Sequence, residues 1–380
     1  MEGAVSSTVS STSLTTGTED TNVLLITFRT IFIFCDVLCT VCGNIISTII
    51  IHRAKGFSDS VQVLMTSLCL ADLGVGLTLI SSLVSSGADW WIFGDPWCKI
   101  TAGLLAVCLS MSVFSLLGVS VDRLVAIRWP LRHPMLITKR RVQIGCVVLW
   151  VTSAIIAAGN VLMHFEVTVY LQVASICYVN FSPGAGGIAN EVFVATVLCA
   201  VPLGTIVLIY ANLLRISAGH QRRLRNNLHL QPTEASVHTN QEASLNQTTP
   251  KPTTGNKGRA ALNSKALIMF LVVSLGFALC WVPHFAMRLY GAMTGGPLPA
   301  WLQLLYVWLP MSNSFWNVII YTLMNGSFRR EVIKLLRCVR CCLRRRIVPQ
   351  TNESIRGEHP TRLALAGRPR TQTLGESTVK

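Results

Sequence analysis

The sequence predicts an all-α membrane protein, a bundle of seven transmembrane helices followed by a short amphipathic helix. Its composition supports this, because 51% of the 380 residues are hydrophobic and only 13% are charged, which is too apolar for an ordinary soluble fold. A helix needs about 20 apolar residues to cross roughly 30 Å of hydrocarbon. Continuous apolar runs of that length occur at residues 24–51, 61–84, 99–121, 142–163, 190–214, 266–290 and 300–324.

The basic residues predict how these helices are oriented. The net charge is +15, and the Lys and Arg residues lie almost entirely in alternate loops, for example at Arg53, Arg140, Arg222 and Arg329. Loops rich in Lys and Arg stay in the cytoplasm, so we expect the N-terminus outside the cell and the C-terminus in the cytoplasm. This alternation favours a membrane protein, with lipids as its surroundings, over a nucleic-acid-binding protein.

Composition also divides the chain into segments. Residues 1–23 are rich in Ser and Thr and have no apolar core, so we expect a disordered extracellular segment without a cleavable signal peptide. The seven-transmembrane domain covers residues 24–324 and contains a polar, disordered inner loop at about 216–258. An amphipathic helix with a cysteine cluster follows at 325–342, and a disordered cytoplasmic tail at 343–380.

Polar residues inside the predicted helices are candidates for function, because a polar group in hydrocarbon is costly. Asp72 lies in the middle of the second helix. It is either a protonated or hydrogen-bonded packing residue, or part of a sodium site or hinge network with Asn44, Asn313, Ser314 and Asn317 at similar depth.

A second charged residue lies within the first helix. Asp36 follows Arg29 by seven residues, which places both on much the same helical face. We therefore expect an ion pair between Arg29 and Asp36.

Short motifs occur in every predicted helix, in a fixed order. They are Gly43-Asn44, Leu70-Ala71-Asp72, Cys98, Asp122-Arg123-Leu124, Trp150, Pro202 with Tyr210, Phe277 through Cys280-Trp281-Val282-Pro283, and Asn317 through Tyr321. Over about residues 24–342 the chain resembles rhodopsin-like (class A) G protein-coupled receptors. The stretch from Ser312 through Tyr321 and on to Phe328-Arg329 resembles certain orphan receptors of the amine-like branch.

This resemblance implies a plasma-membrane receptor without a cofactor that signals to heterotrimeric G proteins and is regulated by arrestin and receptor kinases. Asp122 is expected to hold the guanidinium group of Arg123 in the inactive state, although Arg123 could instead be a snorkelling interfacial arginine. Pro283 lacks the backbone N–H of a helical residue and should kink the sixth helix above Trp281. The residues implied for coupling and activation are Asp122, Arg123, Tyr210, Trp281, Pro283, Asn317 and Tyr321.

The resemblance also implies covalent modifications. Cys98 and Cys177 match the family's disulfide, and Asn180 begins a glycosylation sequon in the same outer loop. The cysteines expected to carry palmitate, unless they are unmodified, are Cys338, Cys341 and Cys342.

Three departures from the family pattern bear on mechanism. Leu124 stands where the family usually has tyrosine, and Val318 stands where it has proline, so Pro310 would have to bend the seventh helix instead. There is no Asp or Glu between Glu242 and the end of the sixth helix, so Arg123 lacks the acidic partner that many relatives use. Losing about 1.4 kcal/mol of inactive-state bias shifts an equilibrium roughly tenfold, and we therefore expect measurable signalling without ligand.

The predicted ligand pocket is apolar. Amine receptors have an aspartate in the third helix where this chain has Leu105, so an amine has no counter-ion there. We expect a small or lipid-like ligand, with an acidic head group if Arg288 contacts it, although Arg288 could instead pair with Glu191 or point outward. The pocket residues expected are Leu105, Leu109, Glu191, Val194, His284, Phe285, Arg288, Val307 and Met311.

Other classes of seven-helix protein fit less well. A retinal-binding opsin needs a lysine in the seventh helix, and residues 300–324 contain none. The His residues are scattered, which argues against a membrane hydrolase and any other enzyme. A transporter or channel-like protein remains the alternative function.

Overall fold

The computed structural model describes residues 12–53, 57–179, 184–229, 254–295, 298–324 and 326–347. Long helices dominate this part of the chain, and a short hairpin connects the fourth and fifth spans. The helices are α1 (Thr12–Arg53), α2 (Asp59–Ala88), α3 (Asp95–Arg128), α4 (His133–Leu136), α5 (Lys139–Met163), α6 (Ala185–Ala195), α7 (Val201–His229), α8 (Thr254–Thr294), α9 (Ala300–Met324) and α10 (Gly326–Ile347).

Several helices extend beyond the apolar runs that predict them. Helix α1 begins at Thr12, inside the segment expected to be disordered, while α7 continues to His229 and α8 begins at Thr254, both inside the expected disordered loop. Hydropathy marks only the part of a helix that lies in hydrocarbon, whereas backbone hydrogen bonds can continue into polar sequence. Residues 230–253, and the tail from 348 onward, lie outside the described part of the chain.

Six of the described helices are long and apolar enough to cross a membrane. They include α1 from Val23, α2, α3, α5, the continuous stretch Ala185–Ile216, and α8 from Leu271. Helix α9 is 25 residues long, but its mean hydropathy is lower than that of the other six spans. Its polar residues Asn313, Ser314 and Asn317 are buried, and α9 packs against α8, α1 and α2, so its polarity faces the inside of the bundle.

The fifth span is interrupted by one turn of π-helix at Thr196–Ala200, between α6 and α7. Pro202 follows directly after this turn. A proline ring clashes with the carbonyl group four residues earlier, which here belongs to Leu198 within the π segment. Pro202 therefore gives a physical reason for the wider turn at this place.

The connection between α5 and α6 contains a 3-10 turn, Phe165–Val167, and an antiparallel hairpin of β1 (Thr168–Leu171) and β2 (Ile176–Val179). The structure contains the disulfide that the resemblance implies, between Cys98 of α3 and Cys177 of β2. We call this side of the bundle the hairpin end, and the opposite side, where Arg123 lies, the arginine end.

Close packing of small residues fixes the helices around the core. A Cβ atom on Gly76 of α2 would lie 2.8 Å from a methyl group of Val41, so glycine at this position lets α1 and α2 approach. At the arginine end, Phe328 in the first turn of α10 is fully buried beside Tyr321, with ring centroids 6.3 Å apart. Val332 packs on the same core, which agrees with an amphipathic helix.

Candidate signalling site and ligand cavity

Arg123 lies near the end of α3 and is partly exposed. Its Nε and Nη2 atoms donate to Asp122 Oδ2 at 3.1 and 2.8 Å. Among the described residues, all hydrogen bonds found for the Arg123 side chain go to this neighbouring aspartate. The guanidinium group is therefore restrained from within its own helix.

Asp122 itself is buried and has two further partners that the sequence did not reveal. Ser60 of α2 donates to Asp122 Oδ1 at 2.8 Å, and His133 Nε2 of α4 lies 3.1 Å from the same oxygen. The carboxylate thus joins three helices, and it orients Arg123 because its own position is fixed. Helix α4 has only four residues, too few to show a periodic pattern, so no sequence signal pointed to His133.

The polar network predicted around Asp72 is brought together in part. Asn317 Nδ2 of α9 donates to Asp72 Oδ2 at 3.0 Å. Asn44 Nδ2 of α1 donates to the backbone oxygens of Thr40 at 2.9 Å and Ser314 at 3.1 Å. These bonds link α1, α2 and α9 inside the bundle. Asn313 is also buried in α9.

Aromatic rings in α8 connect this interior to the hairpin end. The rings of Phe277 and Trp281 have centroids 5.7 Å apart, and Trp281 and Phe285 are stacked at 5.5 Å. Pro283 lies inside the same helix, between Trp281 and Phe285. Tyr210 of α7 and Tyr321 of α9, the other predicted activation residues, are buried near the arginine end.

A cavity of about 220 Å³ opens among α3, α5, α6, α8 and α9, with Trp281 in its wall. All the pocket residues predicted from the sequence line it, namely Leu105, Leu109, Glu191, Val194, His284, Phe285, Arg288, Val307 and Met311. The sequence did not predict the contribution of α5 and of β2. The added lining residues there are Ser153, Ile156, Ala157, Asn160, Val161, Ile176, Cys177, Tyr178 and Val179.

The charged residues that line this cavity pair with each other. Arg288 Nη2 bonds to Glu191 Oε1 and also donates to the backbone oxygen of Val179 at 2.9 Å. The guanidinium carbon lies 4.6 Å from the ring centroid of Tyr178. Of the two alternatives for Arg288, the structure therefore contains the ion pair with Glu191. His284 Nδ1 lies 2.9 Å from the backbone oxygen of Tyr306.

The tip of the hairpin is fastened on its other side by α1 and α9. Arg29, only 2% exposed, donates to Asp89 Oδ1 at 2.7 Å, to Ser86 Oγ at 3.0 Å and to the backbone oxygen of Gln172 at 2.7 Å. Trp308 Nε1 of α9 donates to the backbone oxygen of Ala174 at 2.9 Å. The expected pair between Arg29 and Asp36 is therefore wrong, because Arg29 reaches toward the helix end, where partners from α2 and the hairpin are available.

Comparison with known proteins identifies this arrangement. A family model for the seven-transmembrane receptors of the rhodopsin family matches residues 43–321. The chain belongs to the rhodopsin family of seven-transmembrane receptors.

Relatives of this receptor cover most of its length at low identity. It is 25% identical over 313 residues to a QRFP-like peptide receptor of Branchiostoma floridae, covering 79% of this chain and 75% of the relative. It is 26% identical over 311 residues to an alpha-1A adrenergic receptor of Oryzias latipes, covering 79% and 64%. With the human histamine H2 receptor it shares 24% identity over 311 residues, covering 80% and 77%.

These relatives are receptors and not enzymes, which confirms both the family and the non-enzymatic class predicted from the sequence. They offer no support for the alternative of a transporter or channel. The G protein-coupled receptor is a multi-pass membrane protein, and rhodopsin-family receptors bind small ligands and couple to G proteins.

The predicted modification sites of the receptor are described only in part. Asn180 lies outside the described residues. Cys338 is exposed on α10, as acylation requires, while the side chains of Cys341 and Cys342 lie outside the described part of the chain. Glycosylation and acylation stay predictions.

Proposed function

We propose that this receptor transmits the state of an apolar cavity at the hairpin end to a heterotrimeric G protein at the arginine end, and that it signals appreciably without ligand. The observation that carries the proposal is the bonding of Arg123, whose described hydrogen bonds go to Asp122 in its own helix. Opening a G protein site by moving α8 away from α3 would break no described bond between Arg123 and α8.

Aromatic residues of α8 that contact the cavity support the transmission of a signal from ligand to helix. Trp281 lines the cavity and stacks on Phe285, and Pro283 between them removes a backbone hydrogen bond within the same helix. A ligand that repacks Trp281 would therefore act next to a flexible point of α8. Signalling then follows from a shift between two existing packings, to which the ligand adds a bias.

The cavity favours a small or lipid-like ligand over a monoamine. Leu105 is buried in its wall where amine receptors have an acidic residue, and Glu191 is already paired with Arg288. An acidic ligand would have to compete with Glu191 for the guanidinium group. An uncharged ligand needs no counter-ion and does not compete with Glu191, so it leaves the ion pair between Glu191 and Arg288 intact.

The proposal includes the setting of the receptor. The hairpin end faces the outside of the plasma membrane, since a disulfide persists there, and the basic arginine end faces the cytoplasm. Arrestin and a receptor kinase would compete for or modify the arginine end, as in the family.

A panel of G protein dissociation sensors in cells that express the receptor without added ligand tests this function. The matched control is Arg123→Ala at equal surface expression. We expect dissociation of at least one G protein above the control. Equal signals from the two proteins across the whole panel would contradict ligand-independent coupling.

A further inference from the structure

Two residues that line the ligand cavity, one on α5 and one on α6, are about half exposed. Ile156 of α5 and Phe193 of α6 both line the cavity, yet their side chains are 49% and 56% exposed. Because both residues lie on helices long and apolar enough to span a membrane, their exposure indicates a place where the cavity wall meets lipid. We call the space between these two residues the α5–α6 seam.

The seam is weakly closed. Helix α5 packs mainly against α3 and α2, and α6 packs mainly against α8, so each helix has its main support elsewhere. Asn160 Nδ2 donates to Asn190 Oδ1 at 3.0 Å across the seam. One amide–amide hydrogen bond within a membrane protein contributes about 0.6 to 2 kcal/mol, so thermal motion can break it.

The hairpin end is held by more bonds than the seam. Strand β2 lines the cavity on that side and is held by the disulfide to α3, while Arg288 of α8 bonds to Val179. Trp308 and Arg29 hold the hairpin tip from α9 and α1. Several described bonds therefore hold the hairpin in place, whereas the Asn160–Asn190 hydrogen bond is the one described bond across the seam.

The chemistry of the wall specifies an uncharged ligand with a polar group. Ser153 and Trp281 line the cavity, and their Oγ and Nε1 atoms are buried and have no hydrogen-bond partner among the described residues. Buried polar atoms normally have a partner, and a hydroxyl or carbonyl group on the ligand could supply one. The two charged lining residues, Glu191 and Arg288, already neutralise each other.

We infer that a neutral, single-chain lipid enters from the bilayer through the α5–α6 seam. Its hydroxyl or carbonyl group lies in the cavity near Ser153 and Trp281, while its hydrocarbon chain passes between Ile156 and Phe193. A cavity of about 220 Å³ is smaller than most sites for whole drug-sized ligands, which agrees with a ligand that leaves its chain in the membrane. This inference rests on the proposed function, since it assigns the ligand class and entry route of the same cavity.

The test uses hexadecanol that carries a photoreactive diazirine near the hydroxyl group and an alkyne at the chain end. The full-length receptor in phosphatidylcholine vesicles is mixed with donor vesicles containing the probe and irradiated at successive times. Labelled peptides are then identified by mass spectrometry. We expect labels on cavity-lining segments of α3, α5 or α8, and weaker cavity labelling in Ser153→Ala.

Two matched pairs of variants test the route. Ile156→Trp should cover the seam and slow cavity labelling about fivefold or more, while Ile155→Trp, at a neighbouring residue that is 67% exposed and does not line the cavity, should label like the wild type. Phe193→Ala should accelerate labelling, and Val192→Ala should not. Equal rates for Ile156→Trp and Ile155→Trp, or labels confined to the outer surface, would overturn the inference.

Two further measurements separate the route from the function. A sulfonated analogue of the probe, added from water, should not label the cavity, and equal labelling by it would show entry from the hairpin end and overturn the inference. Arg123→Ala should abolish signalling and leave labelling unchanged. If labelling changes in the seam variants but signalling is the same with and without Arg123, only the proposed function is refuted. If signalling requires Arg123 but labelling is the same in all seam variants, only the lipid route is refuted.

Discussion

The two ends of the bundle are held in different ways. At the hairpin end, a disulfide and two ion pairs join elements that are far apart in the sequence, namely Cys98 with Cys177, Arg29 with Asp89, and Arg288 with Glu191. At the arginine end, the salt bridge of Arg123 is made with the adjacent residue Asp122. Bonds between distant elements resist rearrangement of the helices, and a bond within one helix does not. Asp122 is itself held by Ser60 and His133, so the freedom of the signalling end lies in Arg123, whose own described bonds stay within α3, whereas the charged pairs of the ligand end join different elements.

Among the bonds at the two ends of the bundle, we expect the disulfide to contribute most to the stability of the receptor. It closes a loop across a sequence separation of 79 residues, and removing such a bond costs about 2–4 kcal/mol. We expect Cys98→Ser/Cys177→Ser to lower the thermal stability of the purified receptor strongly and to reduce its surface expression. Cys35→Ser, at an exposed free cysteine of α1, is the control, and a similar loss in that variant would show that the disulfide has no special role in stability.

The ion pair between Arg288 and Glu191 gives the next effect. Glu191→Gln leaves a partly buried guanidinium group without its counter-charge, and since such a loss costs about 3 kcal/mol or more for a fully buried pair, we expect a smaller but clear destabilisation here. The double variant Glu191→Gln/Arg288→Met should recover much of that loss, because no unpaired charge remains. Thermal unfolding of the purified single and double variants measures the loss of stability and its recovery. If the stability losses of the two substitutions simply add in the double variant, Glu191 and Arg288 are not energetically coupled.

The arginine end should respond in signalling and much less in stability. Asp122→Asn removes the carboxylate that holds Arg123, and a loss of about 1.4 kcal/mol of inactive-state bias would raise the active population about tenfold while that state is minor. G protein dissociation without ligand measures this rise. The double variant Asp122→Asn/Arg123→Ala should be silent, and unchanged basal signalling in Asp122→Asn would mean that Asp122 does not restrain Arg123.

His133 should give the smallest effect. His133→Phe keeps a ring of similar size in α4 but removes one of the partners of Asp122, at a cost of about 0.5–1 kcal/mol for a partly exposed hydrogen bond. We expect about a threefold increase in basal signalling. A decrease, or an increase as large as that of Asp122→Asn, would show that His133 acts through something other than this carboxylate.

The sequence predicted the features that depend on a repeating pattern or on a family motif. The apolar runs located the membrane spans because burial in lipid requires continuous hydrophobicity. The pocket residues from Leu105 to Met311 came from the resemblance, which places Leu105 where amine receptors have an aspartate. Helix α9 was also found from its apolar run at 300–324, although its buried polar residues Asn313, Ser314 and Asn317 lower its hydropathy.

The features that were missed depend on contacts between distant or irregular segments. Arg29 pairs with Asp89 at the end of α2 and not with Asp36 in its own helix, since the hairpin supplies extra acceptors there. Contacts of a hairpin cannot be deduced from its own sequence, and neither can the half-exposed position of Ile156 on α5. Periodicity shows which face of a helix is apolar, but not whether lipid or a cavity lies against it.

The π-helical turn at Thr196–Ala200 has a consequence for how this receptor can change. Each residue of an α-helix advances the chain by about 100° around the axis, so one added or deleted residue in that turn rotates everything before it by that angle relative to α7. Such a change would carry Glu191 away from Arg288 and point a new set of side chains into the cavity, while Tyr210 beyond the turn stayed in place. A single-codon insertion or deletion there could alter which molecules are recognised and leave the signalling end as it was.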